Sequence, residues 1–418
     1  MMRSLLLKSR LSPKIAGIGM AAFLAALILP GLPAQNSVSR APIVNARAAV
    51  IIDAATGTLL YAKNPDLLLP PASLTKLITL HIVYEEIQAG RIKPEDLVTI
   101  DKDDCSPRIP YGSSLMYLRP GMKVSVRDLM LGAAVVSGND AAYSLARLVS
   151  GSNEAFTKWM NEEVKAMGFD AMTFVEPSGI SELNFVTARQ FALFCKKYLE
   201  LHPESLAELH SVKSMDFPRA EHAAPGFVPS GRIVQYNRNP LIFRYPGADG
   251  LKTGYIIEVG YNMAGTAKRE GSRFLVVTLG GSRSKVASGT TLRTKDVTNL
   301  LDWGFDNFIT ASIDPGPLPS PRAWFGASRR LDLEPAAANA VTIAKARAGD
   351  LRIEVKAPAS VKAPIAKGTV DGKIRYFLDG KELRAIDLVA ARDIPRGTIF
   401  RLIWDGIGYF FAGIFGKR

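Results

Sequence analysis

Pro70-Pro71-Ala72-Ser73-Leu74-Thr75-Lys76 is the stretch on which the fold turns. The two prolines start a helix and set Ser73 in its first turn, where free backbone N–H groups and the helix dipole favour negative charge. Ser73 and Lys76 stand at i and i+3, so a helix carries both on one face. A serine hydroxyl needs a base at neutral pH, and a lysine can serve only if its pKa falls. Ser-x-x-Lys alone is weak evidence, because a chain this long holds about one by chance. Ser282-Arg283-Ser284-Lys285 is a second match, in a polar loop after a strand, and is assigned no catalytic role. Order gives the first match its weight. Ser137-Gly138-Asn139 and Lys252-Thr253-Gly254 each occur once and follow it in that sequence. Together the three describe a serine acyl-transfer site in which two lysines and a second serine replace the usual histidine. Burial beside another cation would lower the pKa of Lys76, and Lys252 could be that cation.

Outward from these motifs the pattern mixes strands and helices. Arg47–Asp53 and Leu59–Lys63 flank Ala-Ala-Thr-Gly and read as a hairpin. Ser73–Glu86 is helical, with Leu74, Leu77, Ile78, His81 and Ile82 on one face and Gly90 as a stop. Val126–Val136 is an apolar helix running into Ser137-Gly138-Asn139. Asp140 can cap the next helix, through Val149; Asn153 caps another that ends at Gly168; Thr187 caps Ala188–Leu201. Strands resume at Gly250–Gly254, Val259–Ala267 and Arg273–Gly280, and Asp296–Phe308 is a closing helix. Strands at both ends with helices between predict one mixed domain whose first and last strands pair in an antiparallel sheet.

Composition shifts at Asp314–Pro321, where four prolines in eight residues make a stiff linker. Beyond it, Val341–Lys345, Leu351–Lys356, Gly368–Leu378 and Leu383–Ala390 alternate and are punctuated by Asp-Gly turns, the pattern of a small all-β domain. The last segment is helical. Phe400, Ile403, Trp404, Ile407, Phe410, Phe411, Ile414 and Phe415 form one stripe, opposite Asp405, Gly408, Tyr409, Ala412, Gly413 and Gly416. Arg396, Arg401, Lys417 and Arg418 bracket it. Its length, roughly 25 Å, falls short of the roughly 30 Å hydrocarbon layer. A helix lying in a membrane interface is expected, with packing on the protein's own core as the alternative.

The bulk properties narrow the function class. The chain of 418 residues carries a formal charge of +13 and is 47% hydrophobic. Arg3, Lys8, Arg10 and Lys14 precede an uncharged run from Ile15 to Ala34, the pattern of an export signal cleaved after Ala34 or of an uncleaved anchor. Either places the body outside the cytoplasm. A basic exported chain favours anionic surfaces, membrane headgroups or an acidic polymer, and no aromatic–basic motif suggests nucleic acid. His81, His202, His210 and His222 lack metal-ligand spacing and are expected to be structural or surface residues. Cys105 and Cys195 could pair.

With these residues in place, the chain resembles the low-molecular-mass penicillin-binding proteins that act as D-alanyl-D-alanine carboxypeptidases, peptidase family S11. The resemblance runs from about Arg47 to Arg418. It includes Pro-Ala-Ser-Leu-Thr-Lys at 71–76, Gly-Ser-Ser-Leu-Met at 112–116, Ser-Gly-Asn-Asp at 137–140, Asp-Gly-Leu-Lys-Thr-Gly at 249–254, Gly-Tyr-Asn at 260–262 and Leu-Leu-Asp-Trp-Gly-Phe at 300–305. It implies an α/β (α+β) β-lactamase/transpeptidase-like domain over 35–312 after a signal at 1–34. A linker at 313–322, a β-rich domain at 323–395 and an anchor helix at 396–418 follow. It implies that Ser73 attacks the carbonyl between two terminal D-alanines, Lys76 is the base and Ser137 relays a proton to the leaving amine. Asn139 would hold the peptide amide. Lys252 would supply charge beside Gly254, and Thr253 and Arg293 would bind the terminal carboxylate. The backbone N–H groups of Ser73 and Tyr255 would form the oxyanion hole. The substrate implied is the peptidoglycan stem peptide, with β-lactams as acylating mimics and no metal or other cofactor. The implied location is the periplasm, on the outer face of the inner membrane.

Two departures stand out. Tyr255 occupies a position where relatives often carry histidine or another polar residue, and the loop Ser282–Leu292 differs in length. Three rivals share parts of the pattern. A class A β-lactamase needs a Glu-x-x-Leu-Asn segment, but before Leu183-Asn184 this chain has Ile180 at the glutamate position and Glu182 out of register. A D,D-endopeptidase uses the same site, and a silent wall-binding protein would have lost one of the catalytic residues.

Overall fold

A computed structural model describes residues 38–105, 109–229, 233–282 and 288–415. The export signal, Arg283, Lys285, Lys417 and Arg418 lie outside them, as do the side chains of Ala412, Gly413, Ile414 and Phe415 and the whole of Gly416.

The centre is a five-stranded antiparallel sheet. Its strands are β1 (Ala48–Asp53), β2 (Leu59–Lys63), β3 (Ala248–Ile256), β4 (Gly260–Arg269) and β5 (Ser272–Leu279), in spatial order β2-β1-β5-β4-β3. The hairpin forms as expected, and β1 pairs with β5 from Ala48↔Leu279 to Asp53↔Phe274, so the two ends of the domain share one sheet. Every residue of β1 is buried, because both faces of the sheet are covered. Ala48, Val50 and Ile52 enter one core with Leu275 and Val277; Ala49 and Ile51 enter the other with Phe274 and Val276. This two-residue alternation is the strand period itself.

The larger core belongs to the helices α1 (Lys76–Gln88), α2 (Val126–Ala134), α3 (Asn139–Ser150), α4 (Asn153–Ala166) and α5 (Ala188–Leu201). The smaller is covered by α6 (Ser288–Asn307) through Val297, Leu300 and Leu301. Helix α6 begins eight residues before the expected Asp296, so Arg293 sits on a helix and not in a loop. The cap of α5 is as expected, with Thr187 Oγ1 accepting from the Gln190 N–H at 3.2 Å. Two other caps differ. Ser152 caps α4, since its hydroxyl accepts from the Ala155 N–H at 3.1 Å, and Asn153 is the first helical residue. Gly138 is the N-cap of α3, while Asp140 is turned to a different task described below. Both cysteines are buried free thiols.

The C-terminal β-domain has its own core around Ile374, Tyr376, Ile386 and Leu388. Four antiparallel strands, Leu333–Pro335, Lys381–Ala390, Val370–Leu378 and Arg352–Lys356, lie side by side in that order. The expected strand Val341–Ala344 forms but leaves this sheet to pair with Phe308–Ala311, directly after α6. The join is keyed to the catalytic sheet, because the Asp53 carboxylate at the end of β1 accepts the hydroxyls of Thr310 at 2.6 Å and Thr342 at 2.8 Å.

The final helix, α7 (Ile399–Phe415), rests on this domain by the side opposite its apolar stripe. Asp405 accepts from the Phe325 N–H at 2.9 Å, and Tyr409 packs edge-on against Trp324 at 5.5 Å. Phe400, Ile403, Trp404, Ile407, Phe410 and Phe411 are left exposed, Phe400 at 75% and Trp404 at 73%. No helix among the described residues is long and apolar enough to cross a membrane.

Candidate active site

Ser73 lies in a 3-10 turn, Ala72–Thr75, and the α-helix proper begins at Lys76. The tighter turn eclipses side chains at i and i+3, which brings the pair closer than an α-turn would. Lys76 Nζ stands 3.1 Å from Ser73 Oγ. The same ammonium donates to Asn139 Oδ1 at 2.6 Å and to the Ser178 carbonyl at 2.6 Å. Lys76 is fully buried, and burial pushes its pKa down to about 7 against the opposing pull of Glu176 and Asp140. Burial, one half of the expected cause, lowers it; the neighbouring cation, the other half, does not. The repulsion falls on Lys252, whose pKa is held well below the usual lysine value by burial, then by Lys76, Arg293 and Arg238.

The second motif arrives at the turn between α2 and α3. Ser137 is buried with φ of +63°, a conformation that costs a residue with a side chain about 1 kcal/mol or more. The turn is held by Gly138 N–H to the Gly132 carbonyl and Asn139 N–H to the Ser114 carbonyl, both at 2.9 Å. Asp140 secures the adjoining loop. Its carboxylate accepts from the N–H groups of Met116 at 2.8 Å and Leu118 at 3.0 Å, so Gly-Ser-Ser-Leu-Met at 112–116 is tied to the motif. A carboxylate with backbone donors that close satisfies them in preference to a helix end.

Lys252, Thr253 and Gly254 lie in β3, opposite Ala264, Met263 and Asn262 of β4. Lys252 Nζ donates to the Thr253 carbonyl at 3.1 Å. A Cβ on Gly254 would sit 2.8 Å from the Pro71 carbonyl oxygen and 3.1 Å from the Ser73 nitrogen. Glycine thus lets the strand pass directly beside the Ser73 backbone. Tyr255, the next residue, packs its ring on Tyr261 at 4.4 Å. Arg293 is buried against the Tyr261 ring at 5.5 Å, and its Nε has no hydrogen-bond partner among the described residues. Burial lowers its pKa to about 10. The structure therefore gathers Ser73, Lys76 and Asn139 by direct contact, sets Gly254 against Ser73, and places Arg293 in the field of Lys252.

Sequence reasoning missed Glu176. Its carboxylate accepts from Ser178 N–H at 2.7 Å, Ser178 Oγ at 2.6 Å, Gly179 N–H at 2.6 Å and Asn184 Nδ2 at 2.9 Å. It thereby fixes the loop whose Ser178 carbonyl holds Lys76. Glu182 is exposed. Gly179 has φ of +82°, and a Cβ there would lie 1.9 Å from the Ala72 carbonyl oxygen. Gly179→Ala is expected to destabilise the fold by about 2–4 kcal/mol, read as a lower urea midpoint at unchanged slope.

The fold is of the β-lactamase/transpeptidase class, with an appended β-domain. The chain belongs to the D-alanyl-D-alanine carboxypeptidase family, whose model matches residues 35–283; the model of the penicillin-binding protein 5 C-terminal domain matches 320–396. D-alanyl-D-alanine carboxypeptidase DacC of Escherichia coli is 34% identical over 398 residues, 94% of each chain. The crystal structure of penicillin binding protein 5 from Haemophilus influenzae superposes with a TM-score of 0.71 at 30% identity, covering 86% of this chain and 100% of that one. A D-alanyl-D-alanine endopeptidase of Pseudomonas aeruginosa is 35% identical, but over 38% of this chain and 47% of its own.

Proposed function

We propose that this chain is a serine D-alanyl-D-alanine carboxypeptidase that removes the terminal D-alanine from peptidoglycan stem pentapeptides through a Ser73 acyl-enzyme. The observation that carries the reading is the 3.1 Å contact between Ser73 Oγ and a buried lysine whose pKa lies near neutrality. Such a lysine is free amine in a large fraction of molecules at pH 7 and can take the serine proton. Ser73 Oγ attacks the penultimate D-alanine carbonyl carbon as Lys76 accepts the proton. The oxyanion is received by the N–H groups of Ser73 and Tyr255. The C–N bond then breaks, and the proton passes from Lys76 through Ser137 to the departing amine of D-alanine. Water attacks the ester, again with Lys76 as base, and frees Ser73. Asn139 holds the peptide amide, while Lys252, Thr253 and Arg293 receive the terminal carboxylate beside Gly254. β-Lactams acylate Ser73 because they present the same acyl group.

Two observations support this over the rivals. The endopeptidase relative matches less than half of either chain, whereas a carboxypeptidase relative matches nearly all of both. The Glu176 carboxylate is occupied by the backbone and side chains of its own loop, not left as the free general base that a β-lactamase needs. The test is release of free D-alanine from a synthetic peptide ending Lys-D-Ala-D-Ala; β-lactam labelling without release would overturn the carboxypeptidase reading.

We place the enzyme in the periplasm, exported by the basic N-terminal segment and held on the outer face of the inner membrane by α7. The exposed stripe of α7, with its polar side already docked on the β-domain, supports an interfacial foot. Ile403→Glu with Phe410→Glu is expected to abolish binding to anionic vesicles in a sedimentation assay and to leave D-alanine release from soluble peptide unchanged.

A further inference from the structure

Three metal-ligating side chains meet beside α1, past the turn that holds Ser73. His81 and Glu85 are one turn apart on that helix, at i and i+4, so they share a face. His202, the C-cap of α5, comes 121 residues later and brings its Nε2 to 2.8 Å from His81 Nδ1. The same Nε2 lies 3.5 Å from Glu85 Oε1, and one ligand atom of each of the three falls within 4.8 Å of the others.

We infer that His81, Glu85 and His202 form a structural site for a divalent cation of the zinc type. Two imidazoles and one carboxylate, with water as the fourth ligand, are a donor set that suits zinc and not the oxygen-seeking magnesium or calcium. One neighbour suits a ligating ring. The second nitrogen of His81 faces Glu163 Oε1 at 3.4 Å, the carboxylate–histidine arrangement that orients a ligating ring. The second nitrogen of His202 accepts from the Gln88 side-chain N–H at 3.1 Å, so ligation through Nε2 requires that amide to turn its oxygen inward. Tyr84 stacks on the His202 ring at 4.9 Å, and Phe194 meets the His81 ring edge-on at 5.9 Å. Both rings are buried. Glu85 is the opening to solvent, with its side chain 41% exposed. The 2.8 Å separation of the two ring nitrogens is that of an imidazole–imidazole hydrogen bond. Tetrahedral zinc at about 2.0–2.1 Å from each needs roughly 3.3 Å, a movement of half an ångström. A cation here would clamp α1, which begins at Lys76, to the end of α5.

The test uses the full chain, stripped with a chelator and dialysed. Titration with zinc chloride, followed by calorimetry and thermal unfolding, is expected to show one ion per chain and a higher unfolding midpoint. Cobalt chloride is expected to give the visible absorption of a four-coordinate site. His202→Gln and Glu85→Gln are expected to lose both signals, and Glu163→Gln to weaken zinc binding by about 10- to 100-fold. Far-ultraviolet circular dichroism checks that each variant folds; should His202→Gln not fold, Glu85→Gln at the exposed edge decides the matter. Absence of binding by the unaltered chain, or binding that survives Glu85→Gln unchanged, would overturn the site and leave a hydrogen-bonded histidine pair.

Discussion

Ser73→Ala is expected to lower D-alanine release from a peptide ending Lys-D-Ala-D-Ala by about 10⁴- to 10⁶-fold and to abolish covalent labelling by β-lactams. The size of the loss follows from what remains. Oxyanion donors and the carboxylate-binding cations still bind the substrate, but no group near Lys76 can carry the acyl chain. Removing the hydroxyl takes away one hydrogen bond and little packing, so the unfolding midpoint should move by less than about 1 kcal/mol equivalent. Mass spectrometry of the β-lactam-treated protein reads the labelling directly. An adduct persisting on Ser73→Ala would assign the nucleophile elsewhere and undo the reading.

Lys76→Met is the second large effect. It keeps the volume of the buried stem and removes the base, and acylation by a β-lactam is expected to slow by roughly 10²- to 10⁴-fold. In the unaltered enzyme the reactive form is the free amine, so the acylation rate should climb with pH and level off above about 7. The Met variant should lack that inflection. Stability carries the same signature with a definite sign. The folded chain holds the Lys76 proton with a pKa of about 7, against 10.5 for an ordinary lysine. Between those values the unfolded chain binds the extra proton, so stability rises with pH across that window. The penalty is fully present below pH 7 and relieved by about 10.5. The stability difference between the unaltered chain and Lys76→Met should therefore shift in favour of the former as pH rises from 7 to 10.5, by a few kcal/mol.

What could be read in advance divides by range. The hairpin at Ala48–Lys63, helix α5 with its Thr187 cap and the strands of the β-domain are carried by local periodicity and turn chemistry, and all form. The exposed and docked sides of α7 were legible for the same reason. Features built from distant residues were not. Asp140 has the position of a helix cap, yet two N–H groups from a loop more than twenty residues away claim it. The helical start at Ser288 escaped notice because Thr290, Thr291 and Thr294 have weak intrinsic helix preference. Glu176 lies in Val-Glu-Pro-Ser-Gly, which reads as a turn; only the folded loop shows that it sets the carbonyl holding Lys76. His81 and His202 met none of the ligand spacings because their partnership is made by two helices packing, not by the chain between them.

The doubled hydrogen bond at Asp53 has a mechanical meaning. A pair of domains joined by prolines alone would let the catalytic half swing about its stalk. Here the stalk is pinned to the end of a central strand through Thr342, whose strand partner Thr310 bonds the same carboxylate, and α7 is pinned to the stalk through Asp405. If α7 lies on a lipid surface, as proposed, the enzyme would act as a ruler. It would trim stem peptides that present their ends at one fixed height above the bilayer and pass over those deeper or shallower in the wall.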